Sequence, residues 1–425
     1  MNFFKKIFFL CIILCFCTFH VFSQAVKVEV VQNAGQWTLL RGGQPYYIKG
    51  AGGQTHLDLL VEIGGNSIRT WHADDAQKVL DEAHAKGLTV MFGLWLQVER
   101  HGFDYNNEEL VAQQLAEFRE IVLKFKDHPA LLMWGVGNEV DLFYTNFKVW
   151  DAVQDIAEMI HELDENHPTT TAIAGLNERE VKLIMEHAPD IDILSVNAYG
   201  SMCGIKDNIL NYGWQKPYIV TEWGPNGHWE VHKTAWQAPV EQTSHEKALT
   251  YYNSYKNCIA SQTKNCLGSY VFFWGQKQET TATWYGLFTK NGQATETIDY
   301  IQHSWTGEWA QNRAPALDSI FVNSQKIGEN IYLTSNETYK AKVFVTDDQN
   351  EPLEYFWQII PESIDVKSGG DFEQAPLPLD GLIETNNVSE ITFTAPSQKG
   401  AYRIFVYVAD NQQKLAYANV PFYVN

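Results

Sequence analysis

The chain has 425 residues, 45% of them hydrophobic and 13% aromatic, with a formal net charge of −20. That length exceeds one ordinary domain and fits a barrel of roughly 250–300 residues followed by a unit of about 100. The acidic balance makes nucleic acid and anionic membranes poor partners, and Gly50, Gly52 and Gly53 follow an apolar run without the rest of a nucleotide fingerprint.

Residues 1–25 read as a secretory signal. Lys5 and Lys6 precede an apolar stretch, 7–22, too short for a membrane span, and the small residues Ser23 and Ala25 follow it. Cys11, Cys15 and Cys17 lie within that stretch behind Leu10, Leu14 and Phe16, none of them the small residue expected before a lipidated cysteine. Export is therefore expected, to the periplasm, the cell surface or the medium. Cleavage removes Lys5 and Lys6 and takes the formal charge from −20 to −22. Cys203, Cys258 and Cys266 remain; three cannot all pair within one chain, and Cys258 with Cys266 is the only sequence-local option.

From residue 46 to 276, β-branched and aromatic runs alternate with segments of helical spacing, the pattern of repeated βα units. Strands are expected at 46–53, 67–72, 89–96, 131–139, 169–175, 193–200, 217–224 and 268–276. Helices are expected at 75–86, 108–125, 148–163 and 244–263, the second with Leu110, Leu115, Phe118, Val122 and Phe125 along one stripe. Eight units in about 230 residues favour a closed (β/α)8 TIM barrel, placed at 26–304, over an open doubly wound sheet. A linker at 305–316 contains Pro315. Beyond it, seven short strand-like runs in 317–425 suggest an all-β immunoglobulin-like sandwich lacking an inter-sheet disulfide. Its expected role is to buttress the barrel or to space it from a surface. The sequons at Asn336 and Asn387 are too common a pattern to carry weight.

In such a barrel the reacting groups stand at the C-terminal strand ends. Strand four ends Gly137-Asn138-Glu139 and strand seven ends Thr221-Glu222-Trp223-Gly224, each setting a glutamate directly after an apolar run. A carboxylate is costly there unless it is partnered or used. Cleaving an acetal needs one carboxyl to protonate a poor leaving group and a second to stabilise an oxocarbenium-like centre. A single strand-end glutamate is most often half of an ion pair, but two in these positions, each beside Gly, point to catalysis. A guanidinium near Glu222 would keep that carboxylate ionised, and Arg69 at the end of strand two is placed to supply it. Fourteen Trp exceed what packing needs, and an indole face suits the apolar face of a pyranose. Trp223, Trp229, Trp274 and Trp284 are the expected sugar platforms. Trp71 and Trp95 also fall at strand ends, and Trp134, mid-strand, is expected in the core. His72 is placed to hydrogen-bond sugar. His228 and His232 have the spacing of a metal pair, but Pro225 and Gly227 put them on a loop, so neither metal nor cofactor is expected.

These motifs, in this order along the barrel, resemble those of clan A retaining glycoside hydrolases. The resemblance implies Glu139 as acid/base, Glu222 as nucleophile, Asn138 on the sugar 2-hydroxyl, Arg69 and Tyr199 aligning the nucleophile, and Trp274 as the floor of the subsite under attack. Trp274-Gly275-Gln276 followed by Thr283-Trp284-Tyr285-Gly286-Leu287, with the C-terminal sandwich, resembles the bacterial endo-β-1,3-glucanases (laminarinases) of glycoside hydrolase family 158. That implies a retaining endo-acting β-glucan hydrolase, a monomer whose partner is the polysaccharide, with cell-surface association open. The rival readings are a transglycosidase, a hydrolase of β-1,4-glucan or mannan, and a carbohydrate-binding barrel that has lost catalysis.

Overall fold

The computed structural model describes residues 24–262 and 264–425, so the signal reading of 1–25 lies, but for Gln24 and Ala25, outside the described residues. Eight parallel strands close into a barrel in the expected order: β1 (Ile48–Gly52), β2 (Ser67–Arg69), β3 (Thr89–Leu94), β4 (Leu131–Asn138), β5 (Thr169–Ala174), β6 (Ile193–Asn197), β7 (Tyr218–Trp223) and β8 (Cys266–Val271). Every residue of β4 and β7 is buried, which is why these segments read as unbroken apolar runs rather than alternating ones. The intervening helices start on local signals. Asn107 accepts the backbone N–H groups of Glu109 and Leu110 to open helix Glu108–Phe125, whose Phe118, Val122 and Phe125 form the buried stripe. Thr243 and Glu246 make a reciprocal capping box for helix Ser244–Ser254, which ends in a π turn, Tyr255–Ile259, instead of running on to residue 263.

The N-terminal hairpin, Val28–Asn33 against Gln36–Arg41, was not expected from the sequence. Its Val28 and Leu39 pack on Met91, Leu132, Met133, Ile193 and Leu267 near the starts of the barrel strands. That end of the barrel is thereby plugged, and the opposite end is left as the mouth.

After helix Glu296–Thr306 the chain forms two packed sheets. One contains Glu354–Pro361, Gly400–Ala409 and Lys414–Val424; the other contains Ala316–Val322, Thr338–Thr346 and Glu390–Thr394. Trp357, Ile359, Val406, Ile320 and Phe393 are among the buried side chains between them. The first sheet runs on into the barrel, because Ala294–Thr295 pairs in parallel with Lys414–Val424.

The cysteine pairing differs from the sequence-local one. Cys203, just beyond β6, is bonded to Cys258 with a Cα–Cα distance of 4.8 Å, and Cys266 is free and buried. Cys266 opens β8 inside the barrel wall beside Tyr47 and Tyr218, out of reach of the π turn that turns Cys258 towards the loop after β6.

Candidate active site

Both strand-end glutamates line one cavity of about 700 Å³ at the barrel mouth. Adjacent strand residues normally face opposite sides, yet Asn138 and Glu139 both face this cavity. The β4–β5 register slips between Gly135 and Asn138, Gly137 takes φ +76°, and Glu139 itself is left-handed at φ +48°. Such an irregularity re-aims side chains at a strand end, and the left-handed backbone is a cost that a glutamate rarely bears without a role. The β6–β7 register slips likewise between Val220 and Glu222.

Glu222 is held by three donors. Arg69 Nη1 and Trp71 Nε1 donate to Oε1 at 3.0 and 2.9 Å, and the Tyr199 hydroxyl donates to Oε2 at 3.1 Å. Arg69 is buried, and its charge is satisfied further by Asn138 Oδ1 at 2.6 Å, the Thr221 carbonyl at 2.8 Å and Asn197 Oδ1 at 3.3 Å. Burial and the Glu222 charge push the Tyr199 phenol far above its ordinary range, so it remains a donor. Asn197 Nδ2 donates to Asn138 Oδ1 at 3.0 Å and to Glu139 Oε1 at 2.9 Å. One amide and one guanidinium thus couple the two carboxyls. Two donors occupy Asn138 Oδ1, so its NH2 is what Asn138 can offer a sugar hydroxyl.

Glu139 differs from Glu222 in its surroundings. It faces no cation directly, and burial first, then the negative charge of Glu222, pushes its carboxyl up to about 8. One carboxyl kept protonated beside one held by a guanidinium is the division of labour that acetal cleavage needs. Since the protonated form of Glu139 is the active one, kcat/KM is expected to fall as pH rises through about 8. Glu139→Gln, assayed on an aryl glycoside with a good leaving group, is expected to lose that alkaline limb. Its persistence in the variant would assign the limb to another group.

Arg69, Asn138 and Tyr199 therefore stand where the sequence placed them. His72 lines the cavity, stacked on Trp95 at 4.5 Å, and Trp229 lines it while 55% exposed. Trp134 is in the core, its indole N–H donating to Asp164 at 2.8 Å. His228 lines the cavity, whereas the backbone carbonyl of His232 is tied to Val240 N.

Three expected platforms are corrected. Trp223, Trp274 and Trp284 are 1%, 0% and 2% exposed, and none lines the cavity. With Glu222 facing in, Trp223 faces out, and it packs on Tyr251 and Tyr255. β8 ends at Val271, earlier than expected, so Trp274 lies past the turn, its backbone N–H donating to the Gly52 carbonyl and its ring against Phe288. Phe272 and Phe273 line the wall in its place. Trp284 donates to the Asn226 carbonyl at 3.0 Å behind that wall.

Sequence reasoning missed Asn197, the donor role of Trp71, Phe143, Lys277, Glu279 and Glu230, all in the wall, and residues 368–371 from the C-terminal sandwich. Asn197 carried a usable signal, an amide closing the apolar run of β6; the others sit in loops without periodicity.

Residues 54–314 match the family described as Glycosyl hydrolases family 2, TIM barrel domain. A β-glucuronidase of Paenibacillus borealis is 24% identical over 326 residues, covering 66% of this chain and 52% of that protein. A probable mannan endo-1,4-β-mannosidase F of Aspergillus flavus is 26% identical over 164 residues, 31% of this chain and 34% of that one. Among solved structures, β-glucuronidase 2 of Bacteroides uniformis superposes with a TM-score of 0.51 at 15% identity, covering 94% of this chain and 48% of that one, a likeness of fold. The chain spans about half the length of the curated β-glucuronidases it matches. The family 158 resemblance is corrected by the match: the Trp274 and Trp284 motifs behind it are packing elements, whereas the clan A motifs at β4 and β7 form the site. Clan A stands, and the chain belongs to glycoside hydrolase family 2 through its TIM-barrel domain.

Proposed function

We propose that this protein is an exported retaining hydrolase of a neutral β-linked polysaccharide, with β-glucan as the leading substrate. The observation that carries this reading is the pair of carboxyls in one cavity, one paired with Arg69 and the other kept protonated by burial. Glu222 attacks the anomeric carbon while Glu139 passes its proton to the departing oxygen, and an ester to Glu222 forms. Glu139, now a carboxylate, then takes a proton from water as that water opens the ester. Asn138, which shares Arg69 with Glu222, is placed to bind the hydroxyl next to the reacting carbon.

The charge of the wall argues for a neutral sugar over a uronic acid. Glu139, Glu222, Glu230, Glu279 and Asp371 line the cavity, and the one lysine among them, Lys277, is spoken for by Glu279 at 2.8 Å. Arg69 and Arg100 are likewise paired, with Glu222 at 3.0 Å and Asp371 at 3.7 Å, so a substrate carboxylate entering that wall would find no unpaired cation and would meet Glu230. Exposed aromatics at the rim, Phe143 at 69% and Trp229 at 55%, offer faces for further sugar units and favour a polymer. The β-1,3 linkage expected from sequence came with the family 158 resemblance and is not carried over.

Digestion of β-1,3-, β-1,4- and mixed-linkage glucans and mannan, beside aryl β-glucuronide and β-galactoside, tests the reading, with product sizing and NMR of the released anomer. The expected result is cleavage of a neutral β-glucan, with the β-anomer appearing before mutarotation. Activity confined to the glucuronide, or release of the α-anomer, would overturn it; products longer than the starting oligosaccharide would mark a transglycosidase.

A further inference from the structure

The connection between sandwich strands Glu354–Pro361 and Glu390–Thr394 does not stay with its own sheets. Its residues Ser368, Gly369, Gly370 and Asp371 line the active-site cavity. Asp371 pairs with His101 at 2.9 Å and with Arg100 at 3.7 Å, both just beyond β3. Glu373, 2% exposed, accepts the backbone N–H of Thr280, beyond β8, at 2.6 Å and that of Lys367 in its own segment at 2.9 Å. The segment is braced internally as well, with Gln374 N donating to Asp365 at 2.8 Å. Its fit to the barrel is close: a Cβ on Gly369 would lie 2.8 Å from Arg100 Nη2 and from Leu142, at a backbone φ of +67° that favours glycine.

In the barrel ring β8 and β3 are separated on one side by β1 and β2 and on the other by β4 to β7. A segment tied to the loops after β8 and after β3 therefore crosses the mouth as a chord. We propose that residues 365–374 form a strap that walls off the active site on the β1–β2 side and fixes the length of the sugar chain accommodated there, with Glu373 as its positioning residue. The sandwich is then a working part of the site. The chain being cut leaves along the arc from β4 to β7, where Phe143 and Trp229 stand exposed. A buried carboxylate spent on two backbone N–H groups of different segments is what rigid positioning of a loop requires.

This inference rests on the hydrolysis of β-linked chains proposed above. The test compares kcat/KM for a β-linked hexasaccharide with that for the matching aryl β-monoglycoside, in the full chain and in Glu373→Ala, Glu373→Gln and Asp371→Ala. Loosening the strap is expected to change the hexasaccharide-to-monoglycoside ratio about tenfold in Glu373→Ala and to lengthen the products released from polymer. Glu373→Gln, which keeps an acceptor, is expected to fall between. A merely structural strap would scale both substrates by one factor and leave product sizes alone, and that result, or no change at all, overturns the proposal. Should Glu373→Ala fail to fold, Asp371→Ala carries the same comparison. The hexasaccharide is taken from whichever polymer the wild type cleaves, so a different linkage removes the β-glucan reading alone, while turnover of no β-linked oligomer removes both.

Discussion

Glu222→Gln is expected to lose turnover by about four orders of magnitude or more while keeping its fold. The amide fills the same space but cannot attack an anomeric carbon. Arg69 would still have the Thr221 carbonyl and the Asn138 and Asn197 side-chain oxygens as acceptors, so its charge is not stranded. Glu139→Ala is expected to behave differently. It should cost about 10²–10⁴ on polymer, whose leaving oxygen needs a proton, and far less on an aryl glycoside whose phenolate departs unaided. Added azide should then restore turnover of the aryl glycoside and yield a β-glycosyl azide, because the space left by Glu139 lies on the face of the ester from which water would come. Rates for both variants, with tryptophan fluorescence to certify folding, check the assignment. Wild-type-like turnover in Glu222→Gln, or an azide adduct of α configuration, would end the two-glutamate mechanism.

The pair was legible because a carboxylate directly after a fully apolar strand has few reasons to be there. Arg69 was legible as the strand-end cation that such a carboxylate calls for, whereas Tyr199 came only from the clan A resemblance. The tryptophans were harder, since which way a strand-end side chain points depends on where the strand stops and on register slips, and neither leaves a mark in composition. Trp223 lies one residue past Glu222 and so on the opposite face; Trp274 lies beyond a strand that ends at Val271 rather than near 276. Trp229, on a loop, does line the cavity and stays 55% exposed, with Tyr199 and His228 meeting its ring edge-on. The N-terminal hairpin was overlooked, although Val28 and Val30 flank Glu29 and Trp37 and Leu39 flank Thr38 in the manner of half-buried strands. The strap was the least legible part. Residues 363–375 have no periodicity, and only the fold brings Asp371 to His101 across 270 positions of sequence.

Lys247→Met is expected to destabilise the whole protein by about 3–5 kcal/mol, because it strands a buried carboxylate. Lys247 and Glu241 are 2% and 1% exposed and 2.6 Å apart. Lys247 donates further to the carbonyls of Thr283 and Trp284 and to the Tyr417 hydroxyl, while Glu241 accepts from Thr281, Thr283 and Asn419. Burial works against the charge on each, yet Lys247 and the hydrogen bonds around Glu241 hold its carboxyl below the ordinary range. Tyr417 and Asn419 belong to the last sandwich strand, and Thr281 to Trp284 belong to the loop after β8, next to the strap contact at Thr280. The pair therefore joins three things: the barrel, the sandwich and the loop that walls the active site. Chemical denaturation of Lys247→Met should show one shifted transition, not an early loss of the sandwich alone. Lys247→Met combined with Glu241→Leu should recover part of the loss, since an apolar pair removes the unpaired charge. Truncation after residue 314 should for the same reason leave no folded barrel, because it exposes this pair and the Ala294–Thr295 edge together. A truncated barrel that folds and turns over aryl glycosides, or a Lys247→Met loss under about 1 kcal/mol, would show instead that the two parts are only loosely joined.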